Sequence, residues 1–404
     1  MKSWVEISRQ RLVANYRCLQ EAAGTDITLL AVVKADAYGH GAELCAPVLA
    51  AAGAQWLGVT DAGEGAAVRT ALEKAGRAFA QQPRILVMSE ALDEDASALV
   101  ASELTPVVSN ISQMEALTRA LSDRDSARSF AVHLEIDTGM SRQGTALGGN
   151  LDKTLRWLKQ QDRIHLEGVM THFASAEIAG SAQTLQQQRY FEQALHQVQN
   201  AGLRPTWIHA GNSSTVDNPF AAEGGVSGWW RNMAKIVSAR GMVRSGLALY
   251  GYSLPIEVEP GYTGAHPARI RPCLQPVMTW KTRVTGLREI EPGSRIGYNG
   301  IFKAERSMRL ALLPAGYADG LRRDLSGTET RPGGWVLFGK EHAPIVGRIS
   351  MNLTTVDVTA LPSVEVGDEV VLLGEGVTAD DHARIARTIP YEILCGVKSL
   401  RLLL

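Results

Sequence analysis

The sequence predicts an α/β chain in two parts, a (β/α)8 barrel followed by a C-terminal all-β domain. Three observations carry that expectation. Eight short apolar runs alternate with longer amphipathic stretches from Leu29 to Leu249; the alternation stops after Gly251; and beyond it the chain reads as strands split by turn signals, without long helices. A length of 404 residues is also more than one ordinary core accommodates. The expected division is a barrel over 1–252 and a β-domain over 253–404.

The apolar runs are LLAVVK at 29–34, WLGVT at 56–60, RILVMS at 84–89, LTPVVS at 104–109, FAVHLEI at 130–136, LEGVMTHF at 166–173, TWIHA at 206–210 and MVRSGLAL at 242–249. Near-continuous apolarity over a handful of residues suits a parallel strand buried on both faces. Between them, 62–76 and 183–202 read as helices, and Gly202 fits the cap of the second. An open doubly wound sheet is the alternative; the count of eight favours closure. Residues 214–241, with GGVSGWWRN, do not read as a clean helix. There Trp229 and Trp230 either cap the barrel mouth or, as we favour, fill a loop's small core. Pro and Gly punctuation over 254–272 reads as a linker, and VMTWKTRV, RLALLPAG, PIVGRIS, TTVDV and EVVLLG as the strands of the second part.

Composition narrows the function classes. Hydrophobic residues make up 45% and charged residues 21%, with a formal net charge of -1, so nucleic acid and anionic membrane are not expected partners. The first ten residues offer no apolar segment for export, and no run approaches the ~20 apolar residues that span a bilayer. Cys18, Cys45, Cys273 and Cys395 are far apart and form no C-x-x-C pair, so reduced structural thiols are expected. The expectation is a cytoplasmic enzyme or binding protein.

Lys34 is the first candidate for chemistry. It follows LLAVV directly, at the strand end where barrel active sites collect, and is followed by Ala-Asp-Ala-Tyr-Gly-His-Gly. A lysine among apolar walls sheds its proton more easily and can form a Schiff base. After the seventh and eighth runs come Asn212-Ser213-Ser214 and Arg244-Ser245-Gly246-Leu247, where barrels often bind phosphate through backbone N–H groups and hydroxyls. Together these features suggest a phosphorylated aldehyde cofactor. His133, His165 and His209 have no metal-ligand spacing, so no metal is expected. His172 alone reads as a satisfied core histidine, Arg142 alone as a surface charge, and Tyr298 alone as an aromatic beside a turn.

The motif AVVKADAYGHG resembles the pyridoxal-phosphate lysine motif of alanine racemases. IDTGMSRQG, GVMTHFA, HAGNSS, VRSGLALYG, LLPAGYADG, VGRISMN and YEILC follow in the family's order over nearly the whole chain. The resemblance implies a homodimer with active sites shared between subunits, pyridoxal 5'-phosphate as cofactor and a small amino acid as substrate. It implies that Lys34 carries the cofactor, that Tyr38, Asn212, Ser213, Gly246, Leu247 and Tyr391 hold it, largely by its phosphate, and that His209 packs beside its ring. Arg244 would face the ring nitrogen. Tyr298, in IGYNG, would enter the neighbouring subunit's site as the base opposed to Lys34. Arg142 and His172 would supply that phenol's polar environment, and Arg142 and the Met351 backbone would meet the substrate carboxylate. Racemisation removes a proton from one face of a carbon and returns one on the other, so two opposed groups solve its geometry.

The implied activity is interconversion of L- and D-alanine. A broader amino-acid (serine) racemase, a basic amino-acid decarboxylase of the same fold and a non-catalytic cofactor-handling protein are the alternatives. The sequence departs from the family pattern at Glu135, where many members carry a lysine that becomes carbamylated. A glutamate there would orient Arg142 by a charge-assisted bond without bicarbonate. Asn352 stands where aspartate is usual, 218–241 is longer than usual, and the ending VKSLRLLL also differs.

Overall fold

The computed structural model describes residues 2–122, 129–218, 225–263 and 270–404. Eight parallel strands close a barrel: Ile27–Val32, Trp56–Val59, Arg84–Val87, Thr105–Val108, Phe130–Asp137, Ile164–Met170, Trp207–His209 and Arg240–Ser245. The last pairs with the first, and Val107 and Val108 pair with His133 and Leu134, so no edge is left open. All eight expected runs are strands, and the open-sheet alternative falls. Helices such as Ala62–Lys74 and Ala182–Asn200 cover the outside. The first is capped by Asp61, which accepts from the Glu64 N–H at 2.9 Å; the second ends at Gly202, whose φ of 76° lets the chain turn.

The second part is a six-stranded sheet in the order 341–344, 335–338, 369–373, 278–283, 3–7, 400–403, with a three-stranded sheet of 286–290, 308–313 and 354–357 beside it. Its core is continuous with that of the barrel. The chain's first strand, Ser3–Ile7, thus lies in this sheet, antiparallel to Met278–Arg283 and parallel to Leu400–Leu403. The alternation that leaves Val5 and Ile7 buried fits a sheet with one covered face.

Four expectations need correction. Gly225–Val237 is a helix, because Trp229, Met233 and Val237 recur at a four-residue spacing and bury one face. Trp229 and Trp230 belong to the main core rather than to a loop's own, with the Trp229 ring 5.8 Å from Phe173 and 6.2 Å from Phe191. PIVGRIS is not a regular strand: Ile345 and Gly347 make isolated bridges, and Gly347, with φ of 74°, bends the chain away. The four thiols are not all reduced. Cys18 and Cys273 form a disulfide, while Cys45 and Cys395 are free. Their 255-residue separation hides a close approach, since Asn15 donates to the carbonyls of Leu249 and Gln275 at 3.0 and 2.9 Å and draws that turn onto the first helix. The expected linker and the long 218–241 segment fall partly on 264–269 and 219–224, outside the described residues.

Candidate active site

A cavity of about 310 Å³ opens at the C-terminal ends of the barrel strands, near the low end of small-molecule sites. Lys34, Tyr38, Arg142, His172, Asn212, Ser213, Arg244, Gly246, Leu247 and Tyr391 all line it. His209 is fully buried behind Arg244 and is not among the lining residues. Tyr298 and Met351 are not in this cavity; they lie on the β-domain surface, 67% and 56% exposed.

The chain beyond the first barrel strand makes an unusual turn. Ala35, Asp36, Ala37 and Tyr38 all have left-handed φ values between 51° and 56°. For residues with a Cβ this conformation is disfavoured by roughly 1–2 kcal/mol each, so neighbours must hold it. Glu64 does part of this, accepting the N–H of Ala35 and of Thr60 at 2.7 Å each. The turn points Lys34 into the cavity and brings the Tyr38 hydroxyl over Gly246, where a Cβ would lie 2.1 Å away. Only glycine fits at 246.

The Lys34 amine sits below its usual pKa, through burial first and then the nearby Arg142 and Arg244 cations. A larger neutral fraction makes it a better nucleophile and base. At the opposite wall the Ser213 hydroxyl lies 3.0 Å from that of Ser245 and accepts the N–H of Gly246 and Ala248 at 3.2 and 3.4 Å. The Tyr38 and Tyr391 rings are 5.9 Å apart, and burial raises both phenol pKa values, that of Tyr391 to about 12, so both stay donors. These hydroxyls converge with no carboxylate among the cavity's lining residues, a donor set suited to a phosphate. A phosphorylated aldehyde with its reactive carbon towards Lys34 therefore fits the residues present.

The loop carrying Arg142 is held by Asp137, whose Oδ1 accepts from the N–H of Gly139, Met140 and Ser141 at 2.9–3.1 Å. Glu135 does not orient Arg142 as expected. It accepts instead from the Gln143 side chain, which also reaches the Met88 carbonyl at 2.8 Å, and Arg142 makes no ion pair among the described residues. The reason is reach: Gln143 occupies the position beside the carboxylate. Burial raises the Glu135 pKa against the pull of the Gln143 bond and of Arg244 and Arg142.

Arg244 is buried, and burial brings its pKa down to about 10, leaving it a cation at neutral pH. Guanidinium groups only donate, and this fixes the hydrogens behind the cavity. Nη1 donates to His209 Nδ1 at 2.9 Å, so a neutral His209 donates from Nε2 to His133 Nδ1 at 2.8 Å. His133 then donates from Nε2 to Glu167 at 3.3 Å, and Glu167 is paired with Arg84. Burial depresses both imidazole pKa values and keeps the rings neutral. Gly168 makes room, since a Cβ there would sit 2.5 Å from the His133 ring. Arg244 Nη2 donates to His172 Nδ1 at 3.1 Å, leaving the His172 proton on Nε2. Burial, then Arg244, Arg142 and Lys34, push the His172 pKa to about 3.

Sequence reasoning missed Glu64, Gln143 and the His133–Glu167–Arg84 chain. Gln143 adjoins Arg142 in a quoted motif and could have been flagged. The others become neighbours only through barrel closure.

A closed barrel with an activated lysine at its first strand end and a hydroxyl cradle between its last two strands defines an enzyme of the barrel-plus-β-domain class. Sequence profiles described as alanine racemase, N-terminal domain and alanine racemase, C-terminal domain match residues 7–254 and 277–402. The alanine racemase of Symbiobacterium thermophilum is 35% identical over 98% of this chain and 94% of its own length, and that of Halothermothrix orenii 34% identical over 98% and 94%. The solved alanine racemase from Streptomyces coelicolor superposes with a TM-score of 0.84 at 29% identity, covering 100% of this chain and 98% of that one. An alanine racemase from Bartonella henselae with covalently bound pyridoxal phosphate gives 0.79 at 26% identity, with both chains covered completely. The chain belongs to the alanine racemase family and is an isomerase. Among the described residues no helix is long and apolar enough to cross a membrane, and no His, Cys, Asp and Glu group could hold a metal ion.

Proposed function

We propose that the protein interconverts L- and D-alanine with pyridoxal 5'-phosphate, as a homodimer in which each site joins one subunit's barrel to its partner's β-domain. The observation that carries this reading is the convergence of Lys34, Arg244 and the Tyr38–Ser213–Tyr391 hydroxyls on one cavity. When bound, the cofactor supplies an electrophilic carbonyl and a conjugated ring that delocalises charge from the substrate's α-carbon. Lys34 would hold it covalently, while Tyr38, Ser213, Tyr391 and the backbone of Gly246 and Leu247 would hold its phosphate, with Asn212 capping the turn. Arg244, held from behind by His209, would face the bound cofactor's ring nitrogen, and a guanidinium there would not readily give it a proton, which would favour a weaker electron sink and fewer side reactions.

Lys34 Nζ takes or returns the α-proton on one face of the substrate. The partner subunit's Tyr298 serves the other face. Arg142 and the Met351 backbone receive the substrate carboxylate, and the His172 Nε2–H is the donor available to the incoming phenol. One feature supports the shared site: the β-domain presents Tyr298, Tyr317, Met351 and Leu353 as exposed large side chains, outside the barrel cavity that Lys34 lines. Incubating L-alanine and D-alanine separately in heavy water, with chiral chromatography, tests the activity. Equal final mixtures with deuterium at the α-carbon are expected. Racemisation of serine at a comparable rate would broaden the substrate class, and carbon dioxide release from lysine or ornithine would replace racemisation by decarboxylation.

A further inference from the structure

We propose that Arg401, in the chain's last strand, is a positioning residue that latches the left-handed turn carrying Lys34 and Tyr38. The inference rests on the proposed cofactor and adds a residue that acts only through that turn. Arg401 Nε donates to the Gly39 carbonyl at 2.6 Å, and Nη1 lies 3.2 Å from Asp36 Oδ2. The other Asp36 oxygen accepts the Ala42 N–H at 2.7 Å, so one carboxylate ties the turn to the following helix and to Arg401. Nη2 donates to the Val397 carbonyl at 3.3 Å, anchoring the guanidinium to the chain just ahead of its strand, and within the strand Arg401 pairs with Val5.

The other side of the turn is wedged rather than bonded. A Cβ at Gly39 would lie 2.3 Å from the Leu394 carbonyl, so the chain passes directly against the helix Pro390–Cys395 that carries Tyr391. Four consecutive left-handed residues persist only where their surroundings fix them. Glu64 fixes the first N–H of the turn from the barrel side, and Arg401 fixes its middle and end from the β-domain side. The Asp36 pair is half exposed and weak on its own; the charge-assisted bond to a main-chain carbonyl is the stronger contact. Release of the latch lets the turn leave its binding conformation, and the apparent cofactor affinity falls by the fraction lost. The loaded enzyme, once formed, keeps its KM for the amino acid.

The test is titration of cofactor-free full-length protein with pyridoxal phosphate, read by visible absorption, beside thermal melting of each variant. Arg401→Ala should raise the apparent Kd on the order of 10-fold. Arg401→Lys should fall between, because an ammonium cannot span Gly39 and Asp36 as a fork does. Asp36→Asn should weaken binding less, and the double variant Asp36→Asn/Arg401→Ala should bind no more weakly than Arg401→Ala alone. Wild-type affinity in Arg401→Ala, or fully additive losses in the double variant, would overturn the latch. If Arg401→Ala melts early, Arg401→Lys and Asp36→Asn decide: weakened uptake in both supports the latch, and wild-type affinity in either overturns it. A wild-type protein that took up no cofactor would overturn the functional reading and this inference with it, whereas normal wild-type uptake with unchanged variants overturns only the latch.

Discussion

The barrel mouth and the β-domain surface hold the two halves of one proposed site in opposite states. In the barrel, ten of the expected residues already line a single cavity, with Ser213, Arg244 and Leu247 buried and their hydrogen bonds made. On the β-domain, Tyr298 and Met351 stand in solvent, on backbone that is nevertheless well fixed. Gly297 is pressed against Arg348, where a Cβ would lie 2.9 Å from its backbone N, and Ala318 donates to the Met351 carbonyl at 2.9 Å. In the proposed dimer these exposed side chains are the ones offered to the partner's barrel. If, as proposed, one half binds and the other completes the site, the two should respond differently to mutation.

The largest effect is expected at Lys34. Lys34→Ala should abolish covalent attachment of the cofactor and lower turnover by about 10⁴-fold or more, since binding and one proton transfer fail together. Tyr298→Phe should lower turnover by roughly 10²–10⁴-fold in both directions while leaving cofactor absorption unchanged. A changed absorption there would blur the division between the halves; near-normal rates would remove Tyr298 from the chemistry.

Glu167 sharpens the comparison from behind the barrel. Burial raises its pKa, but His133 and Arg84 outweigh that and hold it at about 2, below the ordinary 4.5. A depressed carboxylate contributes stability that is complete above its unfolded pKa and lost as pH falls through 4.5 towards 2. The shift corresponds to about 3 kcal/mol, so Glu167→Gln should lower stability at pH 7 by about 1–3 kcal/mol and flatten the acid limb of the melting profile. An unchanged acid limb would contradict the assigned hydrogen-bond directions. The smallest effect is a predicted null: bicarbonate should not alter activity, because Glu135 already provides a carboxyl group there. Restoration of lost activity by bicarbonate would count against that.

Much of the fold was legible because each barrel strand is a local apolar run and each motif sits at a strand end. Contacts made across the closed molecule were not. Ser3–Ile7 pairs with strands more than 270 residues away, and no local pattern names that partner. The helix Gly225–Val237 was hidden by its glycines and tryptophans, whose burial comes from Phe173 and Phe191 on other elements. Glu135 was expected to serve Arg142 because both bear charge, yet the neutral Gln143, next to Arg142 in the chain, reaches it first. The Cys18–Cys273 disulfide and the His133–Glu167–Arg84 chain belong to the same class of long-range contact.

Subunit mixing tests the two-sided arrangement most directly. Lys34→Ala and Tyr298→Phe chains, each nearly inactive alone, are dissociated together, reassociated and assayed for racemisation. Trans-acting phenols predict recovery of about one quarter of the wild-type rate, because half the dimers are mixed and each contains one intact site of two. Activity that stays at the level of the separate variants, although mixed dimers have formed, would contradict it.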